Sequence, residues 1–136
     1  MRSLCSYLLL LAASFLGAAE VVVVAAANPA TEITRDDLSA MLDGKKSTWG
    51  DGSRVVLVVN PDSPAHEPFL RAYANKTPQQ FATAWKKIVF TGKGAAPTQV
   101  KTDAEMVAAL QGGAIACMPE DAARAAGAAV KILPVR

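Results

Sequence analysis

Val55-Val56-Leu57-Val58-Val59-Asn60-Pro61-Asp62-Ser63-Pro64-Ala65-His66-Glu67-Pro68-Phe69 passes from five apolar residues, through a turn, into a segment of helical spacing. An apolar run without polar alternation is expected of a strand covered on both faces, as in a mainly parallel sheet flanked by helices. Asn60, Pro61, Asp62 and Ser63 are turn formers, and Phe69, Leu70 and Tyr73 follow at helical intervals. A strand that feeds a loop opening a helix gathers backbone N–H groups and the positive end of the helix dipole at one place, which favours an anion. Ser63, Ala65 and His66 are the candidate binding residues. A purely structural role is the alternative: Ser63 as the helix cap and Pro64 as its first residue.

The flanking sequence repeats this grammar. Val21–Ala26, Ala114–Met118 and Val130–Leu133 read as further strands beside Arg54–Val59. Thr34-Arg35-Asp36-Asp37, Thr77-Pro78-Gln79-Gln80 and Thr102-Asp103-Ala104-Glu105 each place a hydroxyl three residues before an acid or amide, the signature of a helix start. Leu38, Met41 and Leu42, then Phe81, Trp85, Ile88 and Val89, then Met106, Val107 and Leu110 continue those helices at apolar spacing. Gly44 and Gly92 stand where a helix exit needs a left-handed residue. Alternating strands and helices predict an α/β fold in a single small domain. Trp49 and Trp85 are expected to be structural.

The first 19 residues carry one positive charge, an apolar stretch from Leu4 to Phe15, and Gly17-Ala18-Ala19 before Glu20. This is the layout of a secretory signal, which predicts a periplasmic or secreted domain over 20–136 with no membrane span after cleavage. Losing Arg2 leaves 13 basic residues against 12 acidic, with no basic stripe suited to nucleic acid. Cys5 leaves with the signal, so Cys117 is alone and no intramolecular disulfide forms.

One histidine and one mature cysteine, the latter inside an apolar strand, make a poor catalytic inventory. They also provide too few ligands for a transition metal. No catalytic residue, metal or cofactor is assigned. Asp36-Asp37 and Glu120-Asp121 sit at helix starts, where they complement the dipole. Gly44-Lys45-Lys46-Ser47 lacks the earlier glycine and preceding strand of a phosphate loop. Gly92-Lys93-Gly94 follows a helix and has Pro97 where a dinucleotide fingerprint needs glycine.

Taken in order, certain segments resemble the small phosphate-transport substrate-binding-like proteins. These segments are Asn28-Pro29, the Thr34–Leu42 helix, Gly44-Lys45 with Trp49 and Asp51-Gly52, Val58-Val59-Asn60 before Ser63-Pro64, Trp85 with Phe90-Thr91-Gly92, and Gly113-Ala114-Ile115-Ala116. The family comprises relatives of the phosphate-binding proteins of ABC transporters. The resemblance implies one lobe of a type II periplasmic-binding-protein fold, non-enzymatic, with phosphate or another small oxyanion as ligand. A membrane transporter or another periplasmic protein is the implied partner. The family's Gly-Ser-Gly-Thr turn corresponds here to Asp62-Ser63-Pro64-Ala65, which keeps only the serine, and its preceding arginine falls at Val59. The resemblance therefore implies weak binding, or a module that kept the fold and lost the ligand. His66 is expected to add positive charge near its ordinary pKa of about 6.5.

Overall fold

The structure, a computed structural model, describes residues 19–136; the signal-peptide reading falls almost wholly outside them. Five strands, β1 (Glu20–Ala25), β2 (Val56–Val59), β3 (Thr98–Gln99), β4 (Ala114–Pro119) and β5 (Val130–Leu133), form one sheet ordered β3-β2-β4-β1-β5. Five helices accompany them: α1 (Arg35–Leu42), α2 (His66–Tyr73), α3 (Pro78–Phe90), α4 (Asp103–Ala109) and α5 (Glu120–Ala126).

β2 pairs in parallel with β3 and β4, whereas β1 is antiparallel to both β4 and β5. Four strands thus point one way, as a mainly parallel sheet requires, but the reversed β1 inside it makes half of the pairings antiparallel. The apolar pattern could not report this, because an interior strand covered on both faces is apolar whichever way it runs.

Successive strand residues serve opposite layers. Val22, Val24, Leu57, Ile115 and Cys117 pack under α1, α2 and α3 with Leu38, Met41, Leu70, Phe81 and Trp85. Val23, Val58, Ala116 and Met118 pack with Met106 of α4, Leu110 just after it and Ala123 of α5. The result is a helix–sheet–helix sandwich. Both tryptophans are only 9 % exposed, and their indole N–H groups reach across the chain, Trp49 to the Gly113 carbonyl and Trp85 to the Leu42 carbonyl, each at 2.9 Å.

Helix ends follow the local sequence closely. Thr34, Thr77 and Thr102 each accept a first-turn amide, and Thr77 with Gln80 forms a reciprocal capping box. Glu105 instead accepts the amide of Lys101, one residue beyond the cap. Gly44 and Gly92, both with φ +73°, follow α1 and α3. The Gly44 and Lys45 amides bond to the Met41 and Ala40 carbonyls, and those of Gly92 and Lys93 to Val89 and Ile88. Both Gly-Lys pairs therefore close Schellman motifs. One expectation fails at α3: Val89 is 41 % exposed and Phe90 93 %, so the buried stripe ends with Trp85 and the half-buried Ile88.

Because β2, β3 and β4 are parallel, their carboxyl ends share one edge of the sheet, and α2, α4 and α5 start just beyond it. The chain leaves β2 for the α2/α3 layer, but leaves β3 and β4 for the other layer. The end of β2 is thus a topological switch point, the place where open α/β sheets hold ligands.

Candidate functional site

At that point the chain makes the turn Asn60–Ala65 before entering α2. Asn60 is 6 % exposed, and its Oδ1 accepts the Asp62 amide at 3.1 Å while its carbonyl accepts the Ser63 amide at 3.0 Å. Ser63 Oγ accepts the Ala65 amide at 3.2 Å, and the Ser63 carbonyl accepts that of His66 at 3.1 Å. Pro61 and Pro64 have no N–H. Most of the donors that would surround an anion are therefore already used inside the turn. Among those left are the Ser63 hydroxyl proton, since that oxygen acts only as acceptor here, the Glu67 amide, and the Asn60 side-chain amide and His66 ring N–H, none of which donates a hydrogen bond among the described residues.

Sequence reasoning grouped Ser63, Ala65 and His66, and the structure brings them together unequally. Ser63 is half-buried and lines an open hollow of about 510 Å³ with His66, Glu67 and Arg71. Ala65 is 1 % exposed, with its methyl in the core under α2. Its contribution can only be backbone, and that amide is occupied. Ser63 is not the helix cap; the cap position is Ala65, which supplies no side-chain bond. Pro68 falls in the first turn of α2, where an N–H has no helical partner in any case, so it does not break the helix.

His66 is 5 % exposed and meets the Phe81 ring edge-on, at 6.4 Å and 82°. Burial pushes its pKa below the ordinary value, opposed only by the neighbouring Glu67 carboxylate. The imidazole therefore gains its charge at lower pH than its type suggests. The residue missed by sequence reasoning is Asn60; the signal was present, because asparagine before a Pro-Asp pair is a frequent side-chain mimic of a turn.

The charge around this edge is negative. Glu67 opens α2, Asp103 and Glu105 lie in the first turn of α4, and Glu120 and Asp121 lie in that of α5. Arg71 and Arg124 are tied to Glu67 and Glu120 at 2.8 and 2.6 Å. These carboxylates fill the role at the helix starts that a bound anion would take. Cys117 is buried, with its thiol pushed up to about 12 chiefly by that burial, which leaves it a poor nucleophile. No cluster of metal-ligating side chains and no helix long and apolar enough to cross a membrane occurs among the described residues.

No protein-family model and no curated protein matches the chain. Solved structures do. An ABC-type phosphate transport receptor from Vibrio cholerae aligns over 85 % of this chain and 45 % of its own, at 15 % identity and TM-score 0.62. PstS from Borrelia burgdorferi aligns over 87 % and 47 % respectively, also at 15 % identity and 0.62. A possible phosphate binding protein from Planctomyces limnophilus gives 86 % and 41 %, at 15 % identity and 0.61. The chain spans less than half the length of these proteins, and its fold is that of one phosphate-receptor lobe.

Proposed function

We propose that this protein is an exported, non-enzymatic solute-binding-like domain, cleaved after Ala19, that takes phosphate or a similar small oxyanion weakly at the start of α2. The observation carrying this reading is the group of free donors, the Ser63 hydroxyl and the Glu67 amide foremost, beside the switch strand β2. The weakness has three sources: internally bonded amides, the carboxylates at the three helix starts, and an open hollow where water screens every contact. A charge-assisted hydrogen bond contributes about 1.5–3 kcal/mol, so a site short of several such contacts falls from micromolar to millimolar affinity. His66 strengthens binding only in acid, once its buried ring protonates.

A second reading, an interaction module that kept the fold without the ligand, is favoured by Asn60 and Ser63 completing the turn on their own. Thermal unfolding with millimolar phosphate, sulfate or molybdate separates the two, because a ligand of the native state must raise the midpoint. A rise lost in Ser63→Ala supports oxyanion binding. No rise with any of the three leaves only the interaction module.

A further inference from the structure

The two Gly-Lys segments, 48 positions apart in sequence, meet in space. Gly44 lies so close to α3 that a Cβ there would stand 2.9 Å from Ile88 Cδ1 and 3.4 Å from the Trp85 ring; at Gly94 it would stand 3.1 Å from Ile88 Cγ2 and 3.4 Å from the same indole. Two loops thus close over Trp85 and Ile88, each through a glycine. Between them and the start of β2 lies a cleft of about 520 Å³, within the range of small-molecule sites. Lys46, Arg54 and Lys93 line it with the Ser47 and Thr48 hydroxyls, over a Trp85 floor, and no acidic side chain lines it.

The 47–55 hairpin fixes the backbone of Arg54. Thr48 bridges Arg54, and the Val55 amide bonds to the Ser47 carbonyl. Asp51 accepts both the amide and the hydroxyl of Ser53 at the tip. Among the described residues Arg54 and Lys93 have no carboxylate partner, and Lys46 has only Asp37 at 3.9 Å.

Lysines after a helix also serve its negative end, so the magnitudes decide. Two helix ends contribute about −0.5 charge each. Three full positive charges exceed that sum, and the Schellman bonds already engage the Ala40, Met41, Ile88 and Val89 carbonyls. The surplus faces a partly apolar cleft, where hydration competes less with an anion.

We infer that this cleft is a second binding site, for a small organic anion carrying a phosphate-like head and an apolar body. The head sits among Lys46, Arg54 and Lys93, and the body lies on Trp85, Ala95 and Ala96. It is not a nucleotide loop, since both Gly-Lys pairs end helices and neither begins one. Nor does it depend on the Ser63 turn, which lies at the opposite end of β2.

The test is a titration of the 20–136 chain with phenyl phosphate and with inorganic phosphate, followed by calorimetry and backbone amide shifts. Phenyl phosphate should bind at least about fivefold tighter than phosphate, because the apolar body adds burial. Its shifts should fall at 44–48, 54–56 and 92–96 and include the Trp85 indole. Arg54→Gln and Lys93→Gln should each weaken it about tenfold, whereas Lys101→Gln, which removes the same charge elsewhere, should change it less than about twofold. An equal loss in Lys101→Gln would mean unspecific attraction and overturn the proposal, as would the absence of cleft shifts. Shifts confined to 60–67 would overturn this site while leaving the Ser63 reading intact.

Discussion

His66 shows what residue identity reveals and what it conceals. An imidazole beside a helix start reads as a switch near neutrality, but burial against Phe81 keeps it neutral further into acid. The folded protein therefore holds fewer protons than the unfolded chain from about pH 6.5 down to the lowered native pKa. The stability that goes with neutral His66 is complete above that window and declines as pH falls through it. Denaturation midpoints at neutral pH and about pH 5 should differ, and His66→Gln should flatten the dependence; an unchanged slope would place the titration elsewhere. The two tryptophans are buried, as the structural role expected of them requires. Trp→Ala at either position should cost about 3–5 kcal/mol, since each removes a buried ring, and at Trp85 the Leu42 carbonyl loses its partner as well. Denaturant unfolding with unchanged midpoints would show the core misplaced. What sequence could not reveal is why Gly113 is glycine: a Cβ there would lie 1.9 Å from the Arg54 carbonyl, a contact made only by the assembled fold.

Elements were most legible where local chemistry determines them. The Thr34, Thr77 and Thr102 caps, the Gly44 and Gly92 exits and the apolar strands all lie close to where the residues indicated. Thr77→Ala should cost about 1 kcal/mol in chemical denaturation, because it removes one side of the capping box; no loss would mean that α3 is held by packing alone. Elements determined by distant partners were not legible. β3 is two exposed residues recruited by β2, with no apolar pattern of its own. The reversal of β1 leaves no mark on Val21–Val24, which are apolar for either direction. The Ser63 turn lies between these cases. Its residue types indicated a turn, but whether its amides face a ligand or one another depends on where Asn60 and Ser63 direct their oxygens.

At the scale of the molecule, the sandwich matches less than half the length of the receptors it resembles, and at its carboxyl edge the Ser63 turn lines an open hollow. Acid groups gather on that edge at the starts of α2, α4 and α5, while Lys46, Arg54 and Lys93 gather at the opposite end of β2. Neither separation is visible in a chain carrying nearly equal numbers of acids and bases, because only topology sorts them onto opposite ends. The resemblance in sequence indicated the lobe; the strength of the proposed anion site depends on hydrogen bonds that sequence does not show. The central claim is that the lobe keeps the receptor's fold and that the oxyanion site proposed at the start of α2 is weak. The most direct measurement is a titration of inorganic phosphate against the backbone amides of the 20–136 chain, at neutral pH and about pH 5, in wild type and Ser63→Ala. The account predicts shifts at residues 60–67 with a millimolar midpoint that tightens in acid, and their disappearance in the variant. Submicromolar affinity at neutral pH, or no shift within 60–67 at either pH, would contradict it.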